Sequence, residues 1–299
     1  MCGIVGLFLK NPALEPQLGR RMTEMLRVMS DRGPDSTGFA LYGSPVAERV
    51  KMTLRGHRDT DFSALASALS QRLDTAVSVT CHDDHAVLSV PSLAVEEARS
   101  ALAALSSEVK VVATGSTMEL YKGVGLPEDV TDRLGLTAMG GTHAIGHTRM
   151  ATESAVTIAG AHPFSTGADQ CLVHNGSLSN HNAIRRILKA DGQVFETEND
   201  TEVAAGYLSW RLAQGARLDE ALTAALSDLD GFYTFVVGTK SGFGVLRDPI
   251  ACKPAVMAET DDYVAFGSEY RALVDLPGIE DARIFEPEPQ KVYFWERQA

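Results

Sequence analysis

The sequence of 299 residues contains no continuous run of about 18 apolar residues, the length that a membrane-spanning helix needs. Its first residues, MCGIVG, lack the basic segment that opens a secretory signal peptide. Positive charge is also scarce, because 27 lysines and arginines face 39 aspartates and glutamates, which gives a net charge of -12. A surface of that sign repels phosphate backbones and anionic lipids. We therefore expect a cytoplasmic protein that binds neither nucleic acid nor membranes.

Cysteine is equally scarce. The four cysteines, Cys2, Cys81, Cys171 and Cys252, are far apart and show no CxxC spacing. This arrangement predicts neither a disulfide framework nor a zinc site. The sequence CHDDH from Cys81 to His85 has the residue types of metal ligands, but a polar turn between two strands explains it more simply. We therefore expect no metal in this chain, and we expect any thiol chemistry to depend on one cysteine.

What the sequence does contain is a hydrophobic fraction of 44%, typical of a folded globular protein. Apolar patterns predict a buried strand at 4–8, a helix from Leu18 to Met29, and a helix that Asn180 caps. A further helix begins at Asn199, with Glu202 at the spacing of a capping box. Strand patterns then recur between 232 and 295. These elements predict two packed β-sheets with helices outside them.

Residues 44–139 have a pattern of their own. Periodicity predicts two helices and three strands in this region, in the order helix 62–73, strand 76–81, strand 86–90, helix 94–105 and strand 109–113. This order predicts a small α/β unit inserted into a larger domain that spans residues 2–299.

Cys2 gains significance because the initiator methionine is routinely removed before a small residue. The chain would then begin with a thiol beside a free α-amine, a group that titrates near pH 7.7 to 8. That amine can take the thiol proton, so one residue supplies both the nucleophile and its base. Taken alone, Cys2 is more simply a small apolar residue at the start of a buried strand.

Other segments carry polar groups suited to a small substrate. Arg149, in GHTR, suits a two-pronged contact with a carboxylate. Asn175 and Gly176, in HNGSLSN, offer a side-chain amide and a backbone N–H that can converge on an oxyanion. Asp200 lies in the first turn of a helix, whose dipole favours a carboxylate. Each also has a simpler interpretation, namely a surface ion pair, a turn and a helix cap, and Arg32 in RGPD fits a structural turn.

Taken in order, the motifs CGI, RGPD, GHTR, HPF, HNGSLSN, NDTEV, RDPIACKP and GSE resemble the class II glutamine amidotransferase domain of the N-terminal-nucleophile hydrolases. The resemblance covers about residues 2–50 and 140–275. It implies an α+β fold of four layers, αββα, into which the 44–139 unit is inserted. It also implies that L-glutamine is hydrolysed to glutamate and ammonia through a thioester.

The resemblance also implies a role for individual residues. Cys2 would be the nucleophile, and Asn175 with the Gly176 N–H would form the oxyanion hole. Arg149 would hold the α-carboxylate of glutamine and Asp200 its α-ammonium group. Two further residues belong with the substrate site, Arg32 by ordering the loops around the thiol and His162 as part of HPF.

The sequence departs from the family pattern after the GHTR arginine. Met150 stands where the family has an aromatic residue, and Glu153 stands where a histidine is sometimes found. We therefore expect the gating of the glutamine loop to differ.

Relatives that make asparagine, phosphoribosylamine or glucosamine phosphate carry an acceptor domain after the amidotransferase domain, and a chain ending at Ala299 has no room for one. The ammonia acceptor is therefore expected on another polypeptide. Size and insertion most resemble the amidotransferase subunit of glutamate-synthase-like assemblies, including N-methylglutamate synthase. The resemblance implies partner subunits with a GXGXG domain and with FMN and an iron–sulfur cluster, and no cofactor in this chain. Two alternatives stay open: a regulatory subunit that retains Met1, and a hydrolase of another γ-glutamyl amide.

Overall fold

Two antiparallel β-sheets form the centre of the protein, in a computed structural model that describes residues 2–151 and 156–297. Among these residues the first sheet has seven strands, in the spatial order β15 (Arg283–Phe285), β13 (Val256–Glu259), β14 (Tyr263–Gly267), β1 (Gly3–Leu9), β8 (His143–Arg149), β2 (Ser36–Tyr42) and β7 (Met118–Val124). Strand β1 pairs with β14 on one side and β8 on the other. The chain therefore enters the middle of a sheet, as the apolar run at 4–8 predicts.

The second sheet has five strands among the described residues, in the order β16 (Val292–Glu296), β12 (Gly242–Arg247), β11 (Gly231–Gly238), β10 (Gln170–Leu178) and β9 (Phe164–Gly167). Side chains alternate along each strand, so a strand can serve two layers. In β1, Ile4 and Phe8 pack in the cluster between the sheets, whereas Leu7 packs in the outer cluster. Phe243 of the second sheet meets Phe8 at a ring distance of 6.4 Å.

Helices cover the outer face of each sheet. Helices α1 (Leu18–Val28) and α4 (Pro127–Leu134) pack with the first sheet, and α5 (His181–Ala190), α6 (Asp200–Ala213) and α7 (Leu218–Asp228) pack with the second. Short 3₁₀ helices lie at Pro12–Gln17, Ser30–Arg32, Ser92–Ala94, Leu136–Ala138, Tyr270–Ala272 and Ile279–Asp281. The order of layers is helix, sheet, sheet, helix, which confirms the predicted αββα architecture.

A third sheet accounts for the unusual central region. Its strands are β4 (Ser78–His82), β5 (His85–Pro91), β3 (Arg49–Arg55) and β6 (Lys110–Gly115), and its core is shared with α2 (Phe62–Arg72) and α3 (Val95–Leu105). The predicted order of two helices and three strands is present, but the sequence interpretation missed β3. The range 44–139 is also too long, since β7 pairs with β2 in the first sheet and α4 packs beside α1.

Two groups of polar contacts are among those that fasten the third sheet to the rest of the protein. The turn of the β4–β5 hairpin, predicted from CHDDH, places Asp83 2.6 Å from Arg133 of α4, and Asp84 lies 3.1 Å from the same guanidinium. At the other end, the Asp169 carboxylate accepts hydrogen bonds from the backbone N–H groups of residues 116–118 and from two hydroxyls there. These hydrogen bonds lower the pKa of Asp169 despite its burial.

Asn180 occupies the N-cap position of α5, as predicted, but its side chain does not cap the helix. Its amide donates to the carbonyl of Asp228 at 2.8 Å, and its oxygen accepts from the backbone N–H of Asp230 at 3.0 Å. The side chain therefore joins the start of α5 to the loop before β11. No helix within the described residues is long and apolar enough to cross a membrane.

His143 is a buried contact between the two central sheets. Its Nε2–H donates to the carbonyl of Thr239 at 2.9 Å, and its ring stacks on Tyr42 at 4.0 Å. Burial lowers the pKa of His143 to about 3, so the imidazole stays neutral in the folded protein at pH values where an unfolded histidine binds a proton.

The free energy of unfolding should therefore decrease as pH falls through the ordinary histidine pKa, because the unfolded chain then binds more protons than the folded chain. Between pH 7.5 and 5.5, His143 alone should account for about 1 kcal/mol of this loss. Urea unfolding of the wild type and of His143→Gln at both pH values measures it. Equal pH dependence in the two proteins would contradict the assignment.

Candidate functional site

One cavity of about 700 Å³ brings together six of the seven residues that the sequence singled out: Cys2, Arg149, His162, Asn175, Gly176 and Asp200. They come from positions that lie far apart in the chain and from both central sheets. Cys2 is the cysteine of this cavity. Cys171 is buried elsewhere against the Tyr42 hydroxyl, and burial raises its pKa to about 12, whereas Cys81 and Cys252 are exposed outside the cavity.

Cys2 is placed by the strand that follows it. Gly3 pairs with Thr148 of β8, and the backbone N–H of Ile4 donates to the Ser268 hydroxyl at 2.9 Å. The carbonyl of Cys2 accepts a hydrogen bond from Arg32 Nε at 3.0 Å and another from Asn175 Nδ2 at 3.3 Å. The position of the thiol is therefore fixed through the backbone, which leaves the side chain on the cavity wall.

Arg32 does not line the cavity, although the resemblance groups it with the substrate-binding residues. It lies behind Cys2 with only 8% of its surface exposed, and its Nη1 donates to Glu269 of the GSE motif at 2.6 Å. The hydrogen bond from Arg32 lowers the pKa of the Glu269 carboxyl. RGPD and GSE therefore meet behind the thiol and hold the start of β1.

Arg149 ends β8 and pairs with Ser36, the first residue of β2, so Asp35 lies beside it. The backbone N–H of Asp35 donates to the Arg149 carbonyl at 3.0 Å, and the Asp35 carboxylate accepts from the N–H of Ala151 at 2.7 Å. Asp35 thus fixes the backbone directly after the cavity arginine, on both sides of Met150. Glu153, which the sequence comparison singled out, lies outside the described residues.

Asp200 is carried by the first turn of α6. Asn199 caps this helix, since its side chain accepts from the N–H of Thr201 at 2.8 Å. Asp200 lines the cavity; its Oδ2 accepts from the backbone N–H of Leu178 at 2.9 Å, and its Oδ1 lies 3.7 Å from Nδ1 of His174. The predicted capping box is wrong, because Glu202 instead accepts from the N–H groups of Glu196 and Thr197 and orders the loop before the helix.

A group of three buried histidines, His147, His162 and His174, closes the inner side of the cavity. The rings of His147 and His162 stack at 4.1 Å. The Thr201 hydroxyl contacts His162 Nε2 at 2.7 Å and His174 Nδ1 at 3.0 Å. A hydroxyl has one proton, so it donates to one ring and accepts from the other.

All three rings are held in the neutral form. Burial is the largest cause in each case, and it lowers the pKa of His147 to about 3, that of His162 well below its usual value, and that of His174 in spite of the nearby Asp200 carboxylate. The inner wall is therefore polar and uncharged. The charges in the cavity come from Arg149, Asp200 and Lys253.

The sequence interpretation missed His174, Thr201 and Lys253 as cavity residues. Each lies inside one of the motifs described above, in which the sequence interpretation assigned no role to that residue. Lys253 is positioned by Arg247, whose guanidinium donates to the carbonyls of Ala251 and Lys253 at 2.6 and 2.7 Å. The Lys253 ammonium lies 5.2 Å from the ring centroid of Phe232, at the wall opposite α6.

Comparison with known proteins identifies the family. A family model described as a glutamine amidotransferase domain matches residues 147–275. The glutamine amidotransferase-like protein GlxB of Rhizobium meliloti is 60% identical over 299 residues, which cover 100% of this chain and 99% of GlxB. The chain belongs to the class II glutamine amidotransferase family.

More distant relatives agree with this membership. A protein of Methanothermobacter thermautotrophicus, named only provisionally as a glutamine amidotransferase, is 34% identical over 307 aligned positions, with 98% of this amidotransferase and 99% of that protein covered. The glutamine phosphoribosylpyrophosphate amidotransferase of Bacillus subtilis, solved with ADP and GMP, matches in structure with a TM-score of 0.62 at 20% identity. The match covers 99% of this chain but 47% of that one, and it supports the fold alone.

Gly176 of the amidotransferase is the position where the backbone itself restricts the site. Its φ of +150° suits glycine, and a Cβ there would overlap the carbonyl oxygen of Phe232 on the neighbouring strand β11. A residue with a side chain would therefore push β10 away from β11 and move Asn175, the adjacent cavity residue. In the HNG motif, Asn175 is therefore followed by a position that only glycine can occupy without displacing the sheet.

Proposed function

We propose that the amidotransferase hydrolyses L-glutamine to L-glutamate and ammonia through a thioester on Cys2. The observation that carries the proposal is the composition of the 700 Å³ cavity, in which a thiol, an arginine, an aspartate and the side-chain amide of Asn175 line the same space. Glutamine has an α-carboxylate, an α-ammonium group and a distal amide. Such a substrate needs a cation for its α-carboxylate and an anion for its α-ammonium group. At the other end, its amide needs a nucleophile and an oxyanion site.

The two ends of glutamine would be held by opposite charges. Arg149 can bind the α-carboxylate in a bidentate manner. Asp200 can bind the α-ammonium group through Oδ1, because Oδ2 is already bound to the Leu178 N–H. The neutral histidines behind Thr201 leave the balance of these two charges undisturbed, which a protonated imidazole would not.

The reaction would begin after removal of Met1, which frees the α-amine of Cys2. The amine takes the thiol proton, Sγ attacks the amide carbon of glutamine, and the carbonyl oxygen becomes an oxyanion. The Asn175 amide has two N–H groups, so one can hold the Cys2 carbonyl while the other turns to the oxyanion with the Gly176 N–H. The tetrahedral intermediate then releases ammonia, which leaves with the proton held by the amine. Water hydrolyses the thioester by the same sequence and frees glutamate.

Replacement of Cys2 by alanine should abolish glutamine hydrolysis while leaving the fold intact, because the thiol makes no contact that the core needs. We expect a loss of at least about a thousandfold in kcat, in line with removal of a covalent nucleophile. Glutamate release by the purified protein measures it, with intact mass to show whether Met1 is removed. Cys252→Ala, which changes an exposed cysteine outside the cavity, is the matched control.

Full activity in Cys2→Ala would exclude the nucleophile assignment. A wild-type protein that retains Met1 and binds glutamine without turnover would favour a regulatory subunit. Turnover of γ-glutamyl peptides or theanine in preference to glutamine would favour a different amide hydrolase.

Arg149→Ala and Asp200→Asn should each raise KM for glutamine, because each leaves one substrate charge unpaired in a partly desolvated cavity. The loss of such a contact costs about 2 to 5 kcal/mol, which is about 30-fold or more in KM. Steady-state kinetics measures the change, and Arg186→Ala, an exposed arginine on α5, controls for the loss of positive charge. Unchanged KM in both cavity variants would place the amino-acid end of the substrate elsewhere.

We further propose that the ammonia is passed to a synthase on a partner chain, of the glutamate-synthase-like or N-methylglutamate-synthase type. The full-length match to GlxB supports this, since that relative also consists of little beyond the amidotransferase unit. The FMN and iron–sulfur cluster implied by the resemblance would belong to the partner. A complex purified from the source organism should contain flavin and should hydrolyse glutamine faster than the isolated chain. Equal rates with and without the co-purifying chains would contradict the coupling.

A further inference from the structure

A second cavity, of about 190 Å³, lies where all three sheets meet. Arg55 and Lys110 reach it from the third sheet, Lys122 from β7 of the first sheet, and Phe164 from β9 of the second. Glu196 and Thr197 before α6, Glu202 in its first turn, and Ile158 with Ala159 are among the other lining residues. We name this space the seam cavity. The cavity of about 700 Å³ that Cys2 lines, which we name the glutamine cavity after the proposed substrate, shares no lining residue with the seam cavity. The two cavities lie on either side of the first turn of α6.

Lys122 is the unusual residue of the seam cavity. Only 8% of its surface is exposed, and within the described residues its ammonium makes no hydrogen bond and no ion pair. Its nearest aromatic contact is the ring of Phe164, whose centroid lies 4.4 Å away. A buried ammonium without an acceptor is costly, so an anion that enters the cavity would gain a strong contact.

Within the described residues neither carboxylate of the wall forms an ion pair with Lys122, although the charges of Glu202 and Glu196 both act on it. Glu202 is held by the segment before α6, since it accepts from the N–H of Glu196 at 2.7 Å and from the N–H and hydroxyl of Thr197 at 2.8 and 2.6 Å. Burial lowers the pKa of Lys122 to about 8, although Glu202 and Glu196 act in the opposite direction. Lys122 therefore remains mostly a cation near neutral pH.

Two further positive side chains, Arg55 and Lys110, line the seam cavity. Arg55 ends β3, and its Nε is buried without a hydrogen-bond partner among the described residues. Lys110 lies directly opposite it, because Arg55 pairs with Lys110 between β3 and β6. The pairing shifts by one residue beside them, and Val112 falls in this bulge, at the wall of the cavity. Positive side chains carried by different sheets thus line one cavity together with the apolar side chains of Phe164 and Val112.

We propose that the seam cavity binds a short-chain dicarboxylate. One carboxylate would accept from Lys122, the other from Arg55 with Lys110, and the carbon chain would lie against Phe164 and Val112. The apolar wall favours an organic dianion over inorganic phosphate, which has no apolar part. None of these residues lines the cavity of Cys2, so binding at the seam cavity can be measured apart from glutamine hydrolysis.

Calorimetric titration with succinate tests this assignment, with succinamide as the neutral analogue of the same length and inorganic phosphate as the competing anion. We expect the full chain to bind succinate and not succinamide. Lys122→Met and Arg55→Gln should each weaken succinate binding tenfold or more, as expected for loss of a charge-assisted contact. Lys240→Met, which removes an exposed lysine of the β11–β12 turn, should leave it unchanged.

Lys122→Met should fold, because methionine fills the space of the buried stem and removes an unpaired charge; a thermal unfolding curve checks this, and Arg55→Gln gives a second test at the other end of the cavity. Absence of succinate binding by the wild type at about 10 mM would overturn the proposal. So would equal binding by wild type and both variants. Binding of phosphate without succinate would overturn the dicarboxylate class. None of these outcomes depends on whether Cys2 hydrolyses glutamine.

Discussion

The carbonyl of Cys2 is held by two side chains, Arg32 and Asn175, that come from different parts of the chain. The first residues of a domain are usually its least ordered part unless they are tied down. In this protein the hydrogen bonds from Arg32 and Asn175 fix the residue that carries the thiol. They are reinforced by the pairing of Gly3 with Thr148 and by the exchange of hydrogen bonds between Ile4 and Ser268. Cys2 thereby gains the fixed position that interior residues have by default.

The first turn of α6 organises what faces that thiol. Asp200 is directed at the glutamine cavity, Thr201 joins two buried imidazoles, and Glu202 orders the preceding loop. Arg185 of α5 adds to this order, since it pairs with Glu198 and donates to the Asn199 carbonyl. Consecutive residues of one helical turn thus point to the cavity of Cys2, the core and the loop, because they are about 100° apart around the helix axis.

Much of this could be predicted from the sequence, and the reasons differ between elements. Two packed sheets with helices outside them followed from local apolar patterns. The αββα order and the meeting of Cys2, Arg149 and Asp200 followed from the resemblance, not from periodicity. The role of Glu202 could not be predicted, because a carboxylate three residues after Asn199 fits a capping box equally well. The burial of Lys122 could not be predicted for another reason. It arises from the contact of three sheets, and no local sequence pattern indicates such a contact.

The boundary of the inserted unit was wrong for a related reason, since β7 looks like one more strand until its partner is known. In the structure Tyr42 lies opposite Met118, and the N–H of Gly43 donates to the carbonyl of Thr117 at 3.0 Å. The chain therefore leaves β2 and returns to β7 at the same point. In topological terms β2 and β7 are the two arms of a β-hairpin, and the whole third sheet with its helices occupies the place of the turn. A chain that lacks the third sheet needs only a turn of a few residues between Tyr42 and Met118 to keep the seven-stranded sheet. The length of the chain can therefore change at this hairpin tip without a change in the strand register around Cys2.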